Sequence, residues 1–135
     1  MKISVIGAGY VGLTTAACLA QSGHDVFCSQ GDSYKLTKLQ NGVMPLFEPY
    51  LEETIRVVRE GDRLRFGSTE EAIEHGQAIF VCVGTPPLAN GDADLSAIEG
   101  VARAITKRAS GYRLVIEKYR AGANRHTAAK TSLSA

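Results

Sequence analysis

Three glycines close to the amino terminus, Gly7, Gly9 and Gly12 in MKISVIGAGYVG, constrain what this chain can fold into more than any other feature. They follow an alternating run that reads as a strand and precede an alanine-rich run that favours a helix. With glycines spaced G-x-G-x-x-G, the order strand, tight turn, helix lets a pyrophosphate rest against backbone at a helix start. The first glycine permits the turn, the second lets phosphates approach, and the third lets helix and strand pack closely. A dinucleotide-binding unit is the expectation, the alternative being a plain strand-to-helix turn.

The helical stripe of Val11, Ala16, Leu19 and Ala20 stops at Gly23, and residues 25–29, DVFCS, read as a second strand. At the end of that strand, about 20 residues past the glycines, such a fold supplies an acid for the adenosine ribose hydroxyls. This chain offers Gln30, then Gly31 and Asp32. The amide of Gln30 can still bond a ribose hydroxyl, but it carries no charge with which to reject the 2′-phosphate of NADP. Asp32 reads either as the cap of the next helix, the favoured reading, or as a displaced ribose contact. A short helix over 33–40 follows, then one opened by Glu48 and Pro49 that ends at Gly61, and a strand over 64–66. Ser68 and Glu71 form a capping box for a helix running to about His75.

Residues 78–83, AIFVCV, are the most continuous apolar run, as expected for a strand in the middle of a parallel sheet covered by helices. The run leaves through Val83 into Gly84, Thr85, Pro86 and Pro87. Ligands in open α/β sheets sit outside the carboxyl ends of the strands, which puts this loop across the crevice from the glycine turn. Thr85 is therefore a candidate cofactor contact, or else a turn hydroxyl bonded to its own backbone. Asp94 or Ser96 caps a further helix with Ile98, Val101 and Ile105 inward, and residues 112–117 form a last strand ending at Glu117. Five strands with intervening helices predict an α/β fold: a single Rossmann-type, doubly wound parallel sheet of order 3-2-1-4-5.

At 135 residues and 44% apolar content the chain suits one packed domain. A formal charge of +1 with no basic block argues against nucleic acid, and no apolar run spans a bilayer or precedes a cleavage site, so a cytoplasmic protein is expected. Cys18, Cys28 and Cys82 show no metal or disulfide spacing and read as buried apolar thiols. His24, His75 and His126 are isolated and read as surface or structural groups. Charge is uneven: 12 basic against 14 acidic groups up to Lys118, then Arg120, Arg125 and Lys130 with no acid.

With these segments placed, the chain resembles the UDP-glucose/GDP-mannose dehydrogenase family in its N-terminal NAD-binding domain. The match is carried by IGAGYVGL (6–13), GHDV (23–26), Lys35, KLQNG (38–42), PLFEPYLEE (45–53), FVCVGTP (80–86), NGDADLS (90–96) and VIEK (115–118). The resemblance implies NAD as cofactor and oxidation of the C6 alcohol of a nucleotide sugar, UDP-glucose first among them, to a carboxylate, with two hydrides passed to two NAD⁺. It implies that Gly7, Gly9 and Gly12, with Tyr10 and Val11 in the same turn, cradle the pyrophosphate. By the same resemblance Lys35 lies near the adenosine ribose, where Gln30 also stands, and Thr85 reaches the cofactor with Val83 and Gly84 leading to it. Glu117 either borders that crevice, ahead of a cofactor-touching threonine in the family, or is a solvated strand end.

The departures are specific. Gln30 replaces the family's acid, and Tyr50 replaces a glycine, which adds strain of about a kilocalorie if that residue has positive φ. In the family the catalytic cysteine, its lysine and asparagine partners and the sugar-binding domain lie beyond residue 135. No catalytic residue is therefore expected here, and the chain alone should be inactive, with the nucleotide sugar as a partner only if those parts are supplied. A non-catalytic nucleotide-binding module is the alternative. After Lys118 the family continues Ser-Thr-Val-Pro-Val, where this chain has Tyr119, Arg120, Ala121, Gly122 and Ala123. Codons for residues 119–126, read from their second base, permit Thr-Val-Pro-Val-Gln-Thr-Gly, the simplest account being a shifted reading frame. The expected division is a cofactor domain over 1–118 and a disordered, non-family tail over 119–135, leaving the fifth strand as an exposed edge open to self-association.

Overall fold

The computed structural model describes residues 1–118; the expectations for 119–135, their disorder and the shifted frame, lie outside the described residues. Ten elements follow one another as β1 (Lys2–Ile6), α1 (Tyr10–Gln21), β2 (Asp25–Ser29), α2 (Ser33–Gln40), α3 (Pro49–Glu60), β3 (Leu64–Gly67), α4 (Thr69–His75), β4 (Ala78–Val81), α5 (Ser96–Arg108) and β5 (Leu114–Glu117). The strands make one parallel sheet of order β3-β2-β1-β4-β5, as the alternation of strands and helices predicts.

Period-two alternation divides the core between the two faces of that sheet. Ile3, Val5, Val26, Cys28 and Ala78 face α1 and α3, packing on Leu13, Ala16, Ala20, Leu51, Ile55 and Val58. Ile6, Ile79 and Val81 face the other way, against Ala72 and Ile73 of α4 and Ile105 of α5. Ser4, fully buried on β1, donates its hydroxyl to Ala72 O at 2.5 Å, which satisfies a polar group that burial would otherwise penalise.

Helix starts and ends follow local chemistry. Ser68 Oγ accepts from the Glu71 amide and Glu71 Oε2 accepts from the Ser68 amide at 2.8 Å, the predicted capping box. Arg59 of α3 donates to Leu39 O and Gln40 O at 3.0 and 2.8 Å, serving the last carbonyls of α2 and tying the two helices together.

Four expectations change. Tyr50 lies in the first turn of α3, and Asp62 is the non-glycine residue with positive φ among those described, so the tyrosine brings no backbone strain. α5 has Leu95 at its cap position, with Asp94 reaching over it to accept from the Ser96 amide at 2.9 Å. The fourth strand ends at Val81, whose partners Ile6 and Glu117 are the last residues of β1 and β5; beyond it the Cys82 amide still donates to Ile6 O. β5 likewise begins at Leu114 rather than 112. Among the described residues β5 pairs with β4 alone, its Leu114 and Glu117 exposed. No described helix is long and apolar enough to cross a membrane.

Replacing Ser68 with alanine removes one half of the capping box. Urea denaturation should show a loss of about 1 kcal/mol with an unchanged m-value, and adding Glu71→Ala should cost less than the sum of the two single changes.

Candidate functional site

The carboxyl ends of four strands converge where the glycine turn leaves β1. Ile6 pairs with Ser29 on one side and Val81 on the other, and Val81 pairs in turn with Glu117. Gly7 then donates to Ser29 O at 3.1 Å, and Cys82 donates to Ile6 O at 2.8 Å. The turn, Gln30, the loop from Val83 and the end of β5 thus share one edge of the sheet, as the sequence predicts.

The three glycines do different things. Gly7 has φ +104°, and a side chain there would stand 2.6 Å from Cys82 O. A Cβ on Gly12 would lie 1.7 Å from Gly7 O, so α1 rests directly on the turn that opens it. Gly9 has ordinary extended backbone, φ −80° and ψ −168°, and nothing stands within 4 Å of where its side chain would be. Two glycines are consumed by packing; the third leaves a clear approach to backbone.

Gly9 is also the cap position of α1, with no side-chain cap and no acid in the first turn. The opening amides of a helix lack intrahelical partners and carry the positive end of its dipole, so this start can receive an anion. Tyr10 is exposed beside it, and Val11 is half-buried against the core.

At the end of β2, Gln30 donates its amide to Gly67 O at 3.2 Å. Its side-chain Oε1 accepts from the Asp32 amide, also at 3.2 Å, which leaves the NH₂ as the group able to donate outward. Asp32 is the cap of α2, its Oδ1 accepting from the Lys35 amide at 3.0 Å; of its two readings the structure has the cap. Lys35 is exposed on the first turn of α2.

Across the turn, Val83 and Thr85 are half-buried and Gly84 is exposed. The Thr85 hydroxyl makes no hydrogen bond among the described residues, whereas Pro86 O accepts from the Asp94 amide at 2.8 Å and ties down the loop that follows. Glu117 is exposed at the end of β5, and Lys118 donates its amide to Val81 O at 3.0 Å.

Sequence reasoning missed the floor of the site. Cys82 Cβ lies 3.5 Å from the position a Gly12 side chain would take, directly under the turn. Burial pushes its thiol up, while the Lys118 charge and a hydrogen bond with Thr15 pull the other way. Thr15 stands one turn beyond Gly12 on α1, so the i, i+3 spacing could have flagged it, but its meeting with Cys82 is a long-range contact. Cys28 is fully buried and its thiol pushed far up by that burial. Cys18 is exposed, against expectation, because Ala16, Ala17 and Ala20 form the inward stripe of α1 and leave position 18 outside it.

Two surface concavities, of about 350 and 450 Å³, lie elsewhere, along α3 and the segment 42–47. The guanidiniums there are already committed, Arg56 to Glu53 and Glu60 and Arg59 to the carbonyls of α2.

Comparison with known proteins agrees with this geometry. Residues 1–130 match the model of the UDP-glucose/GDP-mannose dehydrogenase family, NAD binding domain. The chain is 40% identical over 119 residues to a UDP-glucose 6-dehydrogenase of Pseudomonas aeruginosa, covering 87% of this chain and 26% of that protein. A UDP-glucose dehydrogenase structure from Pyrobaculum islandicum superposes with a TM-score of 0.83 at 39% identity, covering 88% of this chain and 29% of that one. A ternary complex of GDP-mannose dehydrogenase from Pseudomonas aeruginosa gives 0.82 at 36%, covering 88% and 28%. The chain spans about a quarter of the length of the curated relatives it matches.

Alanine at the two packing extremes should separate fold from binding. Gly12→Ala should unfold the chain or lower its thermal midpoint steeply, whereas Gly9→Ala should keep the wild-type midpoint and weaken adenine-dinucleotide binding at least about tenfold by calorimetry. Thiol reagents should modify Cys18 fast in the native chain, with Cys28 and Cys82 reacting only on denaturation; Cys18→Ser should abolish the fast phase.

Proposed function

The chain belongs to the UDP-glucose/GDP-mannose dehydrogenase family, as its NAD binding domain, and we propose that it is the cofactor-holding part of an enzyme oxidising the C6 alcohol of a nucleotide sugar, UDP-glucose above others. The observation that carries this reading is the open backbone at Gly9, framed by two glycines that admit no side chain, under a helix start with no cap of its own. A pyrophosphate is the group such a shelf fits.

In this reading the amides from Tyr10 to Gly12 hold the pyrophosphate and Tyr10 screens it from water. Gln30 donates its NH₂ to the adenosine ribose beside Lys35. Val83, Gly84 and Thr85 close the opposite wall, where the Thr85 hydroxyl, which bonds none of the described residues, can orient the nicotinamide half, and Glu117 borders the far end. Bound NAD⁺ supplies the hydride acceptor; the chain's own residues bind and orient it.

Turnover by this polypeptide alone is not part of the proposal. The family resemblance places a nucleophilic cysteine outside the matched region, and such chemistry needs an accessible thiolate. Cys28 and Cys82 are buried and held toward the thiol form, and Cys18 lies on the outer face of α1, away from the glycine turn. The reading also includes a cofactor domain ending near Lys118, supported by β5 closing at Glu117, self-association through the side of β5 that pairs with no described strand, and action in the cytosol, in keeping with three free cysteines.

Titration of the purified chain with NAD⁺ and ADP-ribose should give saturable one-to-one binding of both, and incubation with NAD⁺ and UDP-glucose should give no reduced nicotinamide. Failure to bind either ligand would remove the proposal, and sustained reduction would refute the division of labour.

A further inference from the structure

The acid that a dinucleotide site keeps at the end of its second strand does two jobs: it accepts from the ribose hydroxyls, and its charge repels a 2′-phosphate. Here that position holds Gln30. Gln30 is neutral, and its carbonyl oxygen is turned back onto the Asp32 amide, so the NH₂ donor is the group it has left to offer a ligand. A donor suits a phosphate oxygen better than it suits a hydroxyl that must itself donate. Gly31 follows with nothing within 4 Å of its absent side chain, giving the room that a phosphate needs over a hydroxyl.

The charges around that space point the same way. The first turn of α2 contains no acid and carries Lys35, with Lys38 one turn on. Lys38 Nζ sits 4.5 Å from the centre of the exposed Tyr34 ring. Two carboxylates stand near, Asp32 two residues on and Glu71 against Gly67, which accepts the Gln30 amide; both are engaged at helix starts, Asp32 Oδ1 by the Lys35 amide and Glu71 Oε2 by the Ser68 amide. An ammonium on a flexible stem is a workable phosphate partner.

Building on the cofactor reading above, we propose that the adenosine end of this site accepts a 2′-phosphate, so that the chain binds NADP⁺ as well as NAD⁺, with Gln30 as the residue that sets this tolerance. Without a repulsive charge, discrimination is left to contacts that favour neither dinucleotide strongly.

The test is calorimetric titration of the full chain, wild type and Gln30→Asp, with NAD⁺, NADP⁺, ADP-ribose and 2′-phospho-ADP-ribose. In the wild type the two dinucleotides should bind within about tenfold of one another, and the two fragments should repeat that ratio. Gln30→Asp should weaken NADP⁺ by about a hundredfold or more while NAD⁺ holds or tightens. Lys35→Ala should weaken NADP⁺ more than NAD⁺, and added salt should do the same. A wild-type preference for NAD⁺ above about tenfold overturns this inference and leaves the cofactor reading standing, whereas binding of neither dinucleotide removes both. The wild-type ratio decides the matter even if the aspartate variant fails to fold.

Discussion

Everything in this structure depends on three backbones touching at one point. The carbonyl of Gly7 lies where a Gly12 side chain would be, and the carbonyl of Cys82 lies where a Gly7 side chain would be. The turn out of β1, the first turn of α1 and the exit from β4 are thereby locked at van der Waals distance with no side chain between them. That contact fixes the height of the α1 start above the sheet edge. It therefore fixes where the helix's unpartnered amides point.

The lock sits where the chain changes direction. β1 is the centre of the sheet, with β2 and β3 built outward on one side and β4 and β5 on the other. Connections leaving β1 and β4 therefore diverge, which makes their carboxyl ends the switch point at which open α/β sheets bind ligands. The hydrophobic clusters on the two faces hold the sheet rigid up to that edge: Val5 and Ile79 are fully buried one or two residues before the opening. A rigid floor matters, because a shelf of backbone amides can recognise a phosphate only if it keeps its geometry when empty.

The parts of this arrangement that were legible in the sequence are those decided by short-range patterns. Strand alternation in KISVI and DVFCS, the Ser68–Glu71 box and the proline opening α3 each carry their own physics, and the sheet order follows from a handedness rule rather than from particular contacts. What escaped was set by partners distant in sequence. Cys82 became the floor of the turn only because β4 pairs with β1 in one register. The apolar run of β4 continues past the last residues of its neighbours β1 and β5, and hydrophobicity does not report where a partner stops. Residue type points Cys18 to the core, whereas the inward stripe of α1 excludes it. A glycine at the matching family position suggests strain at Tyr50, whereas the helix that Pro49 opens gives position 50 an ordinary helical backbone.

The two ends of the site consequently differ in how freely they can change. At the pyrophosphate end recognition is backbone, and its two interlocked glycines cannot be altered without moving α1 off the sheet. At the adenosine end recognition is a side chain following β2, attached to a strand whose own packing ends at Ser29, buried beside Gly7. Replacing a carboxylate by an amide there leaves the sheet and the cap of α2 as they are, since Asp32 performs the capping and Gln30 merely adds a bond to the Asp32 amide. A residue whose exchange costs so little stability is free to drift in charge. The fold thus holds the class of ligand firmly and its ribose chemistry loosely: the first is written into van der Waals contact, the second into a single exchangeable group.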